Sequence, residues 1–448
     1  MSISVAIIGA GPSGFYAAEA LIRAGLDCRI DFIEALPSPF GLIRSGVAPD
    51  HQNIKAVVRA YERTAQDDHV AYHGNVKVGQ DVSLDQLRRF YDAVIVATGA
   101  PFDRDLDIPG GDLPGVYGSA AFVGWYNGHP DHQDLAPLLD GEQVCVIGHG
   151  NVALDIGRVL VKTSDEMADS DLPNYAAQAI HGAPIRVVSL FGRRGPAEAK
   201  FTNAELKELV KLSDCVPRLD PALIPDRPPE GLDERKQRVK ARTLETFRGF
   251  AAVDKPQAGK ELRFEFFAMP VAVLGEDRVT GVRFERTRLE EGRAVGTGEF
   301  FVYECGTVVA AIGTRARPLD GLPFDKRRGI FVNRKGRVAK GLYVVGWAKR
   351  GPIGVIGSNK SDADTLPALL DEDLSGKRKP GREALESWLS DRGIRWVSYE
   401  DWQAIDAAEI DAAEGKAPRK KLYRIKDMLA VLGQDAKSSR QTTRGHGT

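Results

Sequence analysis

The chain has 448 residues, 43% of them hydrophobic, with 61 basic and 62 acidic side chains and a formal net charge of −1. That length supports two or three domains, and the balanced charge provides no bulk attraction to nucleic acid or to a membrane surface. The first residues lack the charged and apolar regions of a secretory signal, and no apolar run reaches the ~18 residues of a membrane span, so a cytoplasmic protein is expected.

The first informative element is Ile3 to Ile8, a β-branched apolar run suited to a buried parallel strand. It opens into Gly9-Ala10-Gly11-Pro12-Ser13-Gly14, and Phe15 to Ala24 reads as a helix. Strand, glycine loop and helix in this order make a pyrophosphate cradle. Gly9 permits the turn, Gly11 lets the ligand approach the backbone, and Gly14 lets helix and strand pack closely. A second strand, Arg29 to Ile33, ends at Glu34, about 20 residues past the last glycine, where a carboxylate binds ribose hydroxyls and repels a 2′-phosphate.

Asp92 to Ala100 reads as a buried strand ending in a small-residue turn, and Gly306 to Thr314 echoes it. Between these two crossing points lies a second cradle: the strand Val144 to Ile147, the loop Gly148-His149-Gly150-Asn151-Val152-Ala153, and a helix from Val152 to Val161. Ala153 stands where a third glycine would. No acid closes the next strand; Ile185 to Phe191 runs into Gly192-Arg193-Arg194-Gly195, and two guanidiniums suit a 2′-phosphate. The second ligand is therefore expected to be NADP(H). The long separation between Ala153 and Arg193 requires a helical insert around Ser164 to Ile180.

Further on, Glu234 to Arg242 has helical spacing that sets Arg235, Arg238 and Arg242 on one face, a basic stripe able to steer an acidic partner. Leu262 to Phe267 and Val279 to Arg288 alternate in polarity, as strands of an antiparallel sheet do. Gly341 to Trp347 is a strand ending in glycine, and Gly351 to Gly357 leads into a helix near Ser361 to Leu370 whose start can face a flavin ring. The tail from Gln434 to Thr448 is polar and is expected to be disordered.

Cys28, Cys145, Cys215 and Cys305 are widely spaced with no Cys-x-x-Cys pair, which argues against a redox dithiol and against an iron-sulfur cluster or other metal on this chain. Electrons must therefore leave to an external acceptor. The expected fold is α/β with two Rossmann-like βαβ domains, a nucleotide domain of residues 102–318 inserted into one formed by residues 1–101 and 319–448.

The run Pro39 to His51, with Gly148 to Asp155, Gly192 to Pro196 and Gly346 to Pro352, resembles adrenodoxin reductase and the bacterial ferredoxin-NADP reductases of that type. The resemblance implies tightly bound FAD, hydride exchange with NADPH, and single-electron transfer to an acidic ferredoxin-type iron-sulfur protein that binds transiently. It implies FAD contacts at Ser13, Glu34, Leu42, Val78, Trp347, Gly354, Val355 and Ile356. For NADP it implies Gly150, Asn151, Val152, Ala153, Arg193, Arg194, Glu205 and Gly354, with Arg104. His51 and Glu208 are candidates for proton movement or nicotinamide positioning, a structural hydrogen-bonding role for His51 being the alternative. Another NADPH-dependent flavoprotein, a diaphorase or a flavin monooxygenase, is the alternative activity.

Overall fold

The computed structural model describes residues 2–253, 255–374 and 378–433. Two six-stranded sheets organise it. The first runs, in spatial order, Arg337–Ala339, Leu342–Val344, Ala93–Val96, Ile3–Ile8, Cys28–Ile33 and Val70–His73. Only the Arg337–Ala339 edge is antiparallel. The second runs Val116–Gly118, Thr307–Ala310, Gln143–Ile147, Val187–Phe191, Lys260–Glu265 and Cys215–Leu219, all parallel.

Both faces of the first sheet are covered, which is why its strands are almost continuously apolar. Val5 and Ile7 pack with Phe15 of the Pro12–Arg23 helix, whereas Ala6 and Ile8 point to a second cluster with Leu87, Tyr91 and Leu385. In each sheet the strand feeding a glycine loop lies between its sequence successor and a strand arriving from far along the chain. The loops therefore emerge at the carboxyl edge at a topological switch point, where open α/β sheets bind ligands. The chain leaves the first sheet after Ala93–Val96 and returns to it at Arg337–Ala339. A short antiparallel pair, Phe102–Asp103 with Thr314–Arg315, ties the two crossing strands together.

Three expectations are corrected. Leu262 to Phe267 does not join the antiparallel sheet: Lys260–Glu265 is a parallel strand of the second sheet, and its alternation arises because Leu262 and Phe264 are buried while their neighbours are half-exposed. The three-stranded antiparallel sheet is instead Ala268–Leu274, Gly281–Glu290 and Arg293–Glu304. The insert around residues 164–180 is not one helix but a 3-10 turn, Asp165–Met167, and a helix at Asn174–His181 that begins just after Pro173. The helix expected near 361–370 is two, Asn359–Ala363 and Leu366–Asp373. Pro367 causes that break, since it donates no N–H and its ring clashes with the carbonyl four residues earlier. The tail 434–448 lies outside the described residues.

All four cysteines are buried and free. The segment that follows the flavin-side loop is clasped by charge: Arg44 makes a bidentate contact with Glu409, and Lys55 and the buried Lys421 share Asp171.

Candidate functional site

The first cradle has the strain that its glycines relieve. Gly9 has φ +102°, and a Cβ there would lie 2.8 Å from the Ala97 carbonyl oxygen; one on Gly14 would lie 2.2 Å from the Gly9 oxygen. The Pro12–Arg23 helix begins at Gly11 with no side-chain cap, which leaves its positive end for an anion. Glu34, one residue past its strand, accepts hydrogen bonds from the N–H of Ala10 at 2.8 Å and of Leu36 at 3.2 Å. Burial raises its pKa, and the N–H groups of Ala10, Leu36 and Ala35 oppose that rise.

Two remote segments close on this cradle. Gly41 packs so tightly that its Cβ would meet Gly11 Cα at 3.0 Å, and a Cβ on Gly346 would fall 1.9 Å from Ser13 Oγ. Trp347 then opens the short Trp347–Arg350 helix, and Gly354 has φ +90°. Leu42, Ile353 and Val355 are 43%, 69% and 61% exposed. Apolar side chains left open beside a glycine cradle fit the face of a large planar cofactor such as FAD. Val78 is a partly buried neighbour of the first-sheet core, bridged to Val82.

The second cradle repeats the device. Gly148, at φ +147°, leaves no room for a Cβ beside the Ala311 oxygen at 2.4 Å, whereas nothing lies within 4 Å of a Cβ on Gly150. Gly150 caps the Asn151–Val161 helix without a side chain, Ala153 is buried, and Val152 is 47% exposed. Asn151 Oδ1 accepts from the Thr202 N–H at 2.8 Å, which anchors the following loop. His149 is half-buried, and desolvation lowers its pKa to about 4 despite the Leu190 carbonyl 2.8 Å from its Nε2. Arg193 is exposed and Arg194 half-buried, and neither guanidinium makes an ion pair among the described residues. Unspent guanidiniums beside a glycine cradle fit a 2′-phosphate, and so NADP.

Where the two clefts meet, the structure brings His51, Glu205 and Glu208 together. His51 Nε2 lies 3.1 Å from Glu208 Oε2 and 3.4 Å from Glu205 Oε2, and its Nδ1 lies 3.9 Å from Asp155 Oδ1. Their ligand atoms lie within 4.8 Å of one another, but the cation they share is the guanidinium of Arg158, 3.2 Å from Glu205 and 3.4 Å from Glu208. Asp50 completes the group, bonded to Arg158 and to Lys162; those two cations hold its pKa far below the carboxylate range despite burial. Burial raises the Asp155 carboxyl to about 7, partly offset by Arg158 and His51.

Sequence reasoning singled out His51, Glu205 and Glu208 but gave no role to Asp50, Asp155, Arg158 or Lys162. A signal existed: Asn151, Asp155, Arg158 and Lys162 fall at helical intervals in an otherwise apolar segment, a polar stripe on one face. Arg104 is not at this junction. Its guanidinium donates to the carbonyls of Arg327 and Arg328.

The basic stripe lies on the Glu234–Phe250 helix, whose N-cap Asp233 accepts from the Lys236 N–H. Arg235, Arg238 and Arg242 are all exposed. Among the described residues Arg238 is the one of the three within ion-pair distance of an acid, Glu234 at 3.8 Å, and both are largely solvated.

Two Rossmann-like units, one with a ribose carboxylate and one with an arginine pair, joined at a charged seam, define a flavin- and NADP-dependent oxidoreductase. The family model described as pyridine nucleotide-disulphide oxidoreductase matches residues 3–168. The chain is 38% identical to the mitochondrial NADPH:adrenodoxin oxidoreductase of Arabidopsis thaliana, covering 96% of this chain and 95% of that protein. It is 39% identical to the NADPH-ferredoxin reductase FprA of Mycobacterium tuberculosis over 95% and 98% of the two chains. The structure of that FprA in complex with NADPH matches with a TM-score of 0.90 at 37% identity, over 97% of this chain and all of the other. The chain belongs to the adrenodoxin reductase family of NADPH-ferredoxin reductases. Among the described residues no helix is long and apolar enough to cross a membrane.

Proposed function

We propose that this chain is a cytoplasmic NADPH-ferredoxin reductase whose residues 1–101 and 319–448 hold FAD and whose residues 102–318 hold NADP(H). The observation that carries this reading is the pairing of a carboxylate-closed cradle with an arginine-closed one, joined where Asp50 and His51 meet Arg158, Glu205 and Glu208. FAD, when bound, converts the electron pair of NADPH into single electrons suited to an iron-sulfur protein.

The side chains bind and orient. Glu34 holds the ribose hydroxyls of FAD, Ser13 and the helix start receive its phosphates, Val78 adds a further contact, and Leu42, Trp347, Gly354, Val355 and Ile356 enclose its ring system. Gly148, Gly150, Asn151, Val152 and Ala153 cradle the NADP pyrophosphate, with Arg193 and Arg194 on the 2′-phosphate. His51, Glu205 and Glu208 line the nicotinamide side, where position rather than proton transfer is their contribution. Arg235, Arg238 and Arg242 receive an acidic iron-sulfur protein that binds transiently.

Two measurements test this reading: FAD content after purification, and anaerobic bleaching of the absorbance near ~450 nm by NADPH and NADH in turn. Stoichiometric FAD with a strong preference for NADPH is expected. Protein that lacks flavin, or flavin that stays yellow under NADPH, overturns it.

A further inference from the structure

Arg158 is fully buried, in the last turn of the helix that begins at the NADP-side cradle. A guanidinium removed from water is tolerated only when closely paired, and here four carboxylates surround it. Asp50 takes it bidentately, from Nε and Nη2 at 3.0 Å each. Asp155 lies 3.1 Å from Nη2, Glu205 3.2 Å and Glu208 3.4 Å from Nη1. Two relations in this arrangement carry the argument. The oxygens of Glu205 and Glu208 that touch Arg158 are the same Oε2 atoms that touch His51 Nε2, so the guanidinium fixes the atoms that hold the imidazole. Asp50, moreover, precedes His51 on the flavin-side segment, while Arg158, Lys162, Glu205 and Glu208 all belong to the second sheet's part of the chain. One flat fork thus bonds across the seam at one edge and braces the histidine's partners at the other.

We propose that Arg158 is the positioning residue of the nicotinamide side, holding the helix of the NADP cradle to Asp50 and His51 in register through Glu205 and Glu208. The inference rests on the reading above. It differs from a simple packing role in what it separates. The adenosine end of NADP is held by the glycine loop and by Arg193 and Arg194, none of which touches Arg158, so affinity and reactivity are set by different residues. Lysine cannot replace the fork, because an ammonium is a point charge that cannot bridge Asp50 and the two glutamates in one plane.

The test compares Arg158→Met, Arg158→Lys and Asp50→Asn with wild type in the flavin-loaded protein. Three quantities are measured: FAD content, the dissociation constant of NADP+ together with the flavin difference spectrum at saturation, and the limiting rate of flavin bleaching by NADPH. Misplacement by an ångström slows such steps steeply, so Arg158→Met is expected to lower the limiting rate by at least about tenfold. The NADP+ dissociation constant stays within about twofold while the saturated difference spectrum changes shape, because the ring is no longer held in place. Arg158→Lys recovers less than about a third of the lost rate. If Arg158→Met loses FAD or fails to fold, Asp50→Asn decides, with an expected fall of at least about threefold in limiting rate at unchanged NADP+ affinity. A wild-type rate in Asp50→Asn, or affinity falling in step with rate in the Arg158 variants, overturns the proposal. Wild-type flavin that NADPH leaves yellow sinks the functional reading itself, and the role of Arg158 falls with it.

Discussion

His51 and Glu208 are 157 residues apart in sequence, yet His51 Nε2 lies 3.1 Å from Glu208 Oε2 across the seam between the two sheets. The imidazole is nine-tenths buried and the glutamate is 44% exposed, so the pair forms a boundary, one member in the protein and one in the cleft. Removing the imidazole leaves Arg158 as the one cation within ion-pair distance of Glu205 and Glu208 among the described residues, and opens space where the nicotinamide is proposed to sit. His51→Ala is expected to reduce the limiting rate of flavin bleaching by NADPH by about tenfold or more, with FAD content unchanged. Stopped-flow bleaching at saturating NADPH measures this, and a rate within twofold of wild type assigns His51 a structural role alone.

On the proposed function, coenzyme choice rests on Arg193 and Arg194, whose guanidiniums have no ion pair among the described residues. A hydrogen bond to a charged group contributes about 1.5–3 kcal/mol, so Arg193→Ala is expected to weaken NADP+ binding by about tenfold or more. NADH carries no 2′-phosphate, and its rate should be unchanged. The preference for NADPH over NADH therefore narrows through one coenzyme only. Equal losses for both would show that the arginine shapes the loop instead of reading the phosphate.

Asp155 provides a pH signature. Burial is the largest influence on its carboxyl, and Glu205 and Asp50 push the same way against Arg158 and His51, leaving it at about 7. An unfolded aspartate titrates near ~3.9, so the folded chain retains a proton that the unfolded chain has released. The stability this brings is complete below about pH 4 and lost as pH rises through about 7. Asp155→Asn is neutral throughout and does not share that loss. Its melting temperature should gain on that of wild type between about pH 5 and pH 8; a difference that stays constant or shrinks excludes the raised carboxyl.

Much of this was legible in the sequence because local chemistry fixed it. Gly9, Gly14 and Gly148 occupy positions where a Cβ collides with backbone, and no other residue type fits, so the cradles announce themselves. Glu34 was placed by its position at the end of the second strand, about 20 residues past the last glycine. What local pattern cannot supply is pairing across the fold. The Lys260–Glu265 strand alternates like an antiparallel edge, yet its neighbours are the parallel strands Val187–Phe191 and Cys215–Leu219, a choice set by the sheet as a whole. The role of Arg158 was hidden for the opposite reason: the polar stripe it shares with Asp155 and Lys162 reads as a solvated helix face, and only tertiary structure brings Asp50 and Glu208 to it. Pro367 was present in the sequence and divided the helix where its missing N–H requires.

The surface of the Glu234–Phe250 helix carries the last prediction. Arg235, Arg238 and Arg242 lie on its exposed side, and the acid paired with Arg238, Glu234, is itself in solvent, so these charges are not consumed by buried pairs among the described residues. Exposed ion pairs are worth about 0–1 kcal/mol, and reversing two such charges should leave the fold intact. A basic face instead acts on encounter, raising the association rate with an acidic partner and making it sensitive to salt. In Arg238→Glu/Arg242→Glu, reduction of an acidic ferredoxin is expected to fall by about tenfold or more at low ionic strength and to lose most of its salt dependence. Ferricyanide, small enough to reach the flavin without docking, should be reduced at the wild-type rate. Parallel loss with both acceptors would place the effect on the flavin or its NADPH and remove the helix from the docking surface.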